Sequence, residues 1–255
     1  MKYDTNFKSV KDDVSAEEWQ ARVELAACYR LVDQYEMTDL IYNHITSRIP
    51  GTDHLLINLY GLLYKEITAS SLVKIDLQGT KVMDSEYDIN PAGFVIHSAI
   101  HSAREDAHCV LHVHSVNGVA VSAQPGGLLP ISQHSICVLG SLAYHDYEGI
   151  ALHDDEKPRL VRDLGDKRLL MLRNHGLLSV GRTVAEAFMY MYMLETSCMI
   201  QLRAQTSMNP LISLPAPIVE RGDAQFSQVL RGTGGGLAWP ALLRKLDRVD
   251  PTYAS

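Results

Sequence analysis

Histidine is concentrated in one part of this chain, and that concentration limits what the chain can fold into. Seven of the 11 histidines fall between positions 97 and 145, where an even spread over 255 residues would place about two. They are His97, His101, His108, His112, His114, His134 and His145. A fold that brings several of them together creates a metal site or a proton-transfer site, because neutral imidazole binds metals and titrates near neutral pH.

The central pair is His112 and His114, in the alternating, β-rich segment Cys109–His114. Residues two apart on a strand point to the same face, so both imidazoles can reach one ion. Two surface histidines on a strand face are the alternative interpretation of this spacing. A third ligand must come from elsewhere, and His175 is the best candidate, since Gly176 forces a turn there between two predicted strands. Three neutral histidines with an open fourth position are typical of a catalytic zinc-type site.

The remaining histidines divide into three groups. His97 and His101 are four apart on a predicted helix, but position 98 is Ser rather than the Glu of an HExxH protease, so we expect them near the metal shell and not in it. His134 and His145 flank predicted strands and are candidates for proton transfer. No role is assigned to His44, His54, His108 or His153.

Composition and charge exclude several classes of partner and location. The chain has 23 basic and 30 acidic residues, a net charge of −7, which argues against nucleic acid or an anionic membrane as a partner. The N-terminus is polar and no run of eighteen apolar residues occurs, so neither a signal peptide nor a transmembrane span is predicted. Four widely spaced cysteines without a CxxC pair indicate free thiols in a reducing cytoplasm.

Helical and strand patterns alternate along most of the chain, which predicts one α/β domain over residues 15–205. Capping boxes at Ser15 and Thr183 open two long helices, and Asn90-Pro91 opens a third. Strands are predicted at 54–58, 72–77, 80–83, 109–114, 136–139, 142–144, 169–172 and 177–180, the second and third as a hairpin. Residues 1–14 are predicted to form a loose or interface-bound arm, and residues 206–255 a C-terminal extension with a short helix at 240–248.

Several motifs together resemble the class II aldolase/adducin family, in order and spacing, over about residues 20–205. They are HVH, YHDYEG, LRNHGLLSVGRTVAEAF, YNHITSR, INLYGLLYKEITASSLVKIDLQG and NPAGFVIHSAIHSARED. The resemblance implies a single-domain, three-layer α/β/α sandwich with a mainly antiparallel sheet. It also implies a homotetramer with sites at subunit boundaries, and metal ligands at the three histidines already singled out. Substrate-binding positions carried over from the family are Asn43, Gly61 and Asn174.

The chain departs from the sugar-phosphate aldolases of this family at the positions that carry their chemistry. Their acid/base Glu corresponds to Gly93, and their phosphate-binding glycine loop and Ser-Ser pair correspond to Ile41–His44 and Pro91-Ala92. A tyrosine proton donor, which reaches a neighbouring subunit's site, corresponds to His134. In these respects the chain is more similar to the adducin head domain, as a bacterial-type member, although it keeps the full histidine set.

The first functional hypothesis is a metal-dependent lyase. Its substrate would be a small, non-phosphorylated keto or hydroxy acid or an aldol, cleaved or decarboxylated through a metal-stabilised enolate. Zinc suits three histidines, and iron, manganese, cobalt and nickel are compatible. The alternative is a non-catalytic, adducin-like binding or assembly module, which the glycine at position 93 favours. The intact histidine triad favours the enzyme.

Overall fold

The computed structural model describes residues 7–85, 87–149, 154–207 and 209–255. In these ranges the helices are α1 (Ala16–Gln34), α2 (Pro91–Ala103), α3 (Val116–Ser122), α4 (Gln133–Leu139), α5 (Lys157–Leu164), α6 (Val184–Gln205), α7 (Ala216–Val229) and α8 (Trp239–Val249). The strands are β1 (His44–Arg48), β2 (Leu55–Ile57), β3 (Val73–Ile75), β4 (Cys109–Val113), β5 (Leu142–His145), β6 (Leu169–Leu172) and β7 (Gly176–Gly181). None of the described helices combines the length and apolarity needed to cross a membrane.

The described strands form one mixed sheet in the order β3-β2-β1-β4-β7-β6-β5. Every neighbouring pair is antiparallel except β5 and β6, which run parallel. The prediction of a single α/β domain with a mainly antiparallel sheet is confirmed. The central position of β4 and β7 matters most, because the two strands carry or adjoin all three predicted metal ligands.

Helices cover both faces of the sheet. Apolar side chains of the central strands point alternately to one face and the other, so both faces must be buried. On β4, Leu111 and Val113 pack into the buried cluster that includes residues of α1 and α6. Val110 points the other way, into a second cluster shared with α2 and α5. Strands β6 and β7 distribute their side chains in the same manner. The result is the expected three-layer α/β/α sandwich.

The two longest helices begin where their capping residues predict. The Ser15 hydroxyl accepts a hydrogen bond from the Glu18 backbone N–H at 3.1 Å, and Thr183 accepts one from the backbone N–H of Glu186 at the same distance. These bonds satisfy N–H groups that have no partner within the helix. Helix α2 likewise begins at Pro91, as predicted.

Residues 136–139, predicted as a strand, belong instead to helix α4. The short apolar run Ile-Cys-Val-Leu is ambiguous by periodicity. Local capping decides the outcome, because the hydroxyl of Ser132 accepts from the backbone N–H of Ser135 and the Ser135 hydroxyl accepts from that of Ser132. A reciprocal cap of this kind begins a helix, so the strand prediction is wrong here.

The predicted hairpin after β3 also fails to form its second strand. Only an isolated bridge joins Ile75 to Lys81, and residues 80–83 do not continue as a strand. The Asp76 carboxylate accepts hydrogen bonds from two following backbone N–H groups, at 2.9 and 2.8 Å. The turn is therefore present, and the backbone N–H of Val82 donates to the Lys74 carbonyl at 3.1 Å, but the pairing does not extend into a second strand.

Two elements were not anticipated from the sequence. Strand β1 lies in the YNHITSR segment, for which the sequence pattern predicts neither helix nor strand. Helix α7 lies in the C-terminal extension, where only the helix now seen as α8 was expected. Pro215 and Pro217 stand at the start of α7, where the missing N–H of proline costs no helical hydrogen bond. Helix α7 packs on α4, and α8 packs on α1.

The four cysteines are free and buried, as predicted. Of the N-terminal arm, residues 7–14 are described. Phe7 packs edge-on against Tyr87 with ring centroids 5.5 Å apart, and a single 3₁₀ turn spans Lys11–Asp13. Residues 1–6 and His153 lie outside the described residues.

Candidate metal centre

Sheet register brings the predicted ligands together. The end of β4 pairs with the start of β7, where Val113 lies opposite Leu177. His114 follows β4 directly and His175 precedes β7 directly, so the two side chains emerge at the same edge of the sheet. Gly176 permits this approach, because a Cβ there would overlap the carbonyl oxygen of Val113. The separation of 61 residues in sequence is thus removed by one antiparallel pairing.

The three imidazoles converge through the same ring atom. Nε2 of His114 lies 3.0 Å from Nε2 of His112 and 3.0 Å from Nε2 of His175. One ligand atom from each residue falls within 4.8 Å of the others. Ligands about 2.1 Å from a tetrahedral ion are about 3.4 Å from one another, so a slight widening of the cluster admits an ion.

Hydrogen bonds on the far side of two rings fix which nitrogen faces the centre. Nδ1 of His112 donates to the carbonyl oxygen of Leu177 at 3.0 Å. Nδ1 of His114 donates to Oδ2 of Asp39 at 3.1 Å. Both Nε2 atoms therefore carry lone pairs, and lone pairs that converge repel one another unless a cation lies between them. Carboxylate support of a ligating histidine is a common feature of metal sites.

The cluster also favours neutral imidazole, which is the form that binds a metal. Burial and the neighbouring histidines hold the pKa of His112 well below its ordinary value of 6.5. Burial and the nearby His114 lower the pKa of His175 to about 4. The residues present thus fit a divalent metal ion in donor type, protonation and arrangement. Imidazole nitrogen donors suit zinc, and iron, cobalt, nickel and manganese are compatible with them.

A cavity of about 280 Å³ opens onto the three histidines. Its wall consists of Asp39, Tyr42, His44, Asn90, Gly93, Ile96, His112, His114, Tyr147, Gly149 and His175. Among the described residues, no lysine or arginine contributes to this wall. Two tyrosines, Tyr42 and Tyr147, are about half exposed at its mouth, and the Tyr147 ring lies 6.1 Å from that of His175.

His44 is the functional residue that sequence reasoning missed. It is 4% exposed, lines the cavity and pairs directly with His112 across β1 and β4. Neither of its ring nitrogens has a hydrogen-bond partner among the described residues. The alternation His-Ile-Thr-Ser from position 44 was the available signal, since it predicts a strand with His44 and Thr46 on one face.

The ring of His44 occupies the space beside Gly93. A Cβ on Gly93 would overlap the His44 ring atoms, so no larger residue fits at position 93 while His44 keeps this orientation. Burial, with the nearby His114 and His175, lowers the pKa of His44 to about 3. The family's acid/base Glu corresponds to Gly93 here. The space that a Glu side chain would take is therefore occupied by the neutral imidazole of His44, from β1.

His97 and His101 lie on α2 beside the centre and not in it, as expected. Nδ1 of His101 donates to the Ala107 carbonyl at 2.8 Å, so its Nε2 accepts from the Thr46 hydroxyl at 2.7 Å. Thr46 oxygen in turn accepts from Nδ1 of His97 at 2.7 Å. This chain of bonds leaves a lone pair on Nε2 of His97, which is buried without a partner among the described residues.

The two candidates for proton transfer lie away from the cavity wall of their own chain. His145 ends β5 and is held between carboxylates, with Nδ1 2.8 Å from Asp163 and Nε2 3.3 Å from Glu156. His134 lies half-buried in the first turn of α4. A proton-transfer role for either residue stays a prediction.

The predicted substrate-binding residues also lie outside this wall. Asn43 is buried, and its Oδ1 accepts from the backbone N–H of Asp39 at 2.7 Å, which positions the carboxylate that supports His114. Gly61 lies in the loop after β2 with φ of +114°, and Asn174 is exposed in the turn before His175 with φ of +56°. Their contact with substrate stays a prediction.

Comparison with known proteins gives a consistent result. The model of the Class II Aldolase and Adducin N-terminal domain matches residues 23–202. A Pseudomonas aeruginosa protein that bears the class name aldolase class 2 is 53% identical over 247 residues, covering 96% of this chain and 95% of its own. Alpha-adducin of Rattus norvegicus is 44% identical over 243 residues, which cover 89% of this chain but 33% of the adducin.

Solved structures of similar fold belong to the same group of proteins. An aldolase II superfamily protein from Pseudomonas syringae superposes with a TM-score of 0.93 at 50% identity, covering 97% of this chain and all of that one. L-fuculose 1-phosphate aldolase from Glaciozyma antarctica PI12 superposes with a TM-score of 0.79 at 26% identity, covering 95% of this chain and 94% of that one.

Proposed function

The chain belongs to the class II aldolase and adducin family, and we propose that it is a metal-dependent lyase acting on a small, non-phosphorylated keto or hydroxy acid or aldol. The observation that carries the proposal is the convergence of three Nε2 atoms, from His112, His114 and His175, on one edge of the cavity. Structural zinc sites are closed by four protein ligands, whereas three histidines would leave a position open toward the cavity.

The residues of the chain divide the work of holding a metal and a substrate. The three histidines would bind the ion, zinc by preference, and Asp39 keeps His114 turned toward it. When bound, the ion supplies a positive charge that stabilises the charge developing on a substrate oxygen as a carbon–carbon bond breaks. The cavity wall encloses the reacting group, and the two tyrosines at its mouth offer hydroxyl groups for orienting it.

The residues of the cavity wall favour a substrate that carries no phosphate group. A phosphate group is usually bound by backbone N–H groups of a glycine-rich loop or by arginine and lysine. No lysine or arginine among the described residues lines this cavity, and residues 41–44 carry no glycine. Its volume of about 280 Å³ is near the lower end for ligand pockets, which suits a small acid.

The reaction type follows from the residue absent at position 93. Without a carboxylate there, carbon–carbon cleavage needs another acid or base, and decarboxylation, which needs less base assistance, gains support. His134, which would act at the site of a neighbouring copy, and His145 remain the candidates for proton transfer.

Metal analysis of the purified chain, followed by assays of the loaded protein, tests the proposal. We expect about one ion per chain, lost in His114→Ala and kept in His108→Ala, which removes an exposed imidazole outside the cavity. The loaded protein should turn over a member of a panel of unphosphorylated keto and hydroxy acids and leave sugar phosphates untouched. Metal-loaded protein without turnover on the whole panel would count against the lyase.

A second candidate is an adducin-like binding or assembly module without catalysis. The specific observations that favour it are the 44% identity to alpha-adducin and the glycine at position 93. A module needs no metal, so a metal-free preparation that unfolds at the same temperature with and without added zinc would favour it. A metal-dependent rise in the unfolding temperature that disappears in His114→Ala would favour the lyase.

A further inference from the structure

His44, on β1, is held beside the three histidines by contacts from two other elements, β4 and α2. Strand β1 pairs it with His112, and residues paired across antiparallel strands place their side chains on the same face. Gly93 in the first turn of α2 lies against its ring, and the His97 ring stands nearly perpendicular to it at 6.0 Å between centroids. The ring is thus fixed from the sheet side and the helix side, next to the ion position.

The polar atoms of the His44 side chain have no partner in the part of the chain that the structure describes. His44 is 4% exposed, and neither ring nitrogen makes a hydrogen bond among the described residues. Buried polar groups in native proteins almost always have a partner, because losing hydration without replacement costs free energy. Since His44 lines the cavity, a ligand in the cavity can supply the missing bond.

A neutral imidazole in place of a glutamate side chain changes which substrates this part of the cavity favours. A glutamate at position 93 would repel a carboxylate bound beside it, whereas a neutral imidazole can donate an N–H hydrogen bond to that carboxylate. The wall offers no lysine or arginine among the described residues for the same purpose. The cavity has room for the His44 ring or for a side chain at position 93, but not for both, because the two would overlap.

The geometry points to His44 as the residue that donates a hydrogen bond to the carboxylate of a 2-keto or 2-hydroxy acid bound beside the three histidines. This inference rests on the proposed function, because the acid is placed next to the metal ligands. It narrows the substrate to an acid rather than a neutral aldol. It also assigns the small residue at position 93 a purpose, which is to leave room for the imidazole.

Binding of two matched probes to cobalt-loaded protein tests the hydrogen bond. Glycolate carries the carboxylate, and hydroxyacetone has a methyl group in place of one carboxylate oxygen. His44→Ala, and His44→Leu with similar volume but no polar atom, should weaken glycolate binding at least tenfold and hydroxyacetone binding less than twofold. Cobalt content should stay at the wild-type level in both variants, and His108→Ala should leave both probes unaffected.

The steric part has its own test, which needs no ligand. Gly93→Ala should lower the urea midpoint of the wild-type chain clearly and that of His44→Ala very little, because the clash is with the His44 ring. Equal effects in both backgrounds would overturn the placement of His44. Glycolate binding within twofold of wild type in both His44 variants would overturn the substrate contact alone. A wild-type chain that binds no cobalt would overturn the proposed function and this inference together.

Discussion

Asp39 orients one of the three candidate metal ligands, His114. Its Oδ2 accepts from Nδ1 of His114, and Asn43 holds the Asp39 backbone in place. The pair illustrates why the sequence did not reveal this role. Asp39 and His114 are 75 residues apart, and a carboxylate that supports a histidine has no characteristic spacing from it. Only the pairing of β1 with β4 brings the two together.

Replacing Asp39 by Asn should weaken metal binding while the fold is retained. The amide keeps the size of the side chain but supports the imidazole less strongly, and loss of such support typically costs about 10- to 100-fold in affinity. Competition with a chromophoric chelator measures the change. Asp53→Asn, at an exposed carboxylate paired with Arg48, is the control and should bind metal as the wild type does. Equal affinities for the two variants would contradict the role given to Asp39.

His101 should make the metal-free protein sensitive to acid. Burial lowers its folded pKa to about 3, whereas the unfolded value is near 6.5, so below pH 6.5 the unfolded chain binds a proton that the folded chain refuses. The free energy of unfolding therefore falls as the pH falls, by about 2 kcal/mol between neutral pH and pH 5 for this residue. Above pH 6.5 the contribution of His101 is constant.

Urea unfolding of metal-free protein between pH 7.5 and 5 measures this effect. His101→Gln keeps a donor and an acceptor for Ala107 and Thr46 but cannot titrate in this range. The variant should show a shallower fall in the free energy of unfolding than the wild type. Parallel curves for the two proteins would show that His101 does not contribute.

Among the elements, α4 shows how a few polar atoms overrule an apolar pattern. The run at 136–139 fits a strand as well as a helix, and the serines before it decide. The same limit applies to β1, because the alternation that begins at His44 covers only five residues and is a weak signal on its own. The long helices α1 and α6 were predictable because each begins at a capping residue, Ser15 or Thr183, with a Glu three residues later.

The cap of α4 gives a prediction for Ser132. Ser132→Ala removes the acceptor for the Ser135 N–H and should destabilise the protein by about 1 kcal/mol. Ser227→Ala, at an exposed position within α7, is the matched control and should change stability by less than about 0.5 kcal/mol. Thermal or urea unfolding compares the two. A Ser132 variant as stable as the control would mean that packing alone fixes α4.

At the scale of the whole molecule, the meeting of the three histidines was predictable and its surroundings were not. His112, His114 and His175 could be proposed because a strand, a turn and a glycine each leave a local mark in the sequence. The match between His44 and Gly93 leaves none, since it is a contact between β1 and α2 across a cavity. The layered sandwich could be predicted only through the family resemblance, because alternation of elements does not fix the order of strands.

We expect the chain to assemble as a homotetramer through apolar side chains near the site. Leu40 and Val116 are 65% and 83% exposed and stand next to Asp39 and shortly after His114. Light scattering should give four times the 28.4 kDa of one chain. Val116→Asp should reduce that mass, because a charge cannot be buried unpaired in an interface. Val249→Asp, at the end of α8, is the control, and a monomeric wild type would contradict the expectation.

Because the candidate metal ligands meet only when β4 pairs with β7, metal binding would also report on folding. Because ligands 61 residues apart meet only when these two strands pair, the cobalt absorption band would appear during refolding at the moment the centre of the sheet closes. The rate at which the band appears would measure strand pairing, and the rate at which helical circular dichroism recovers would measure helix formation. The two rates can be compared directly. The order of assembly of this sandwich can thus be timed with an ion rather than an engineered fluorophore.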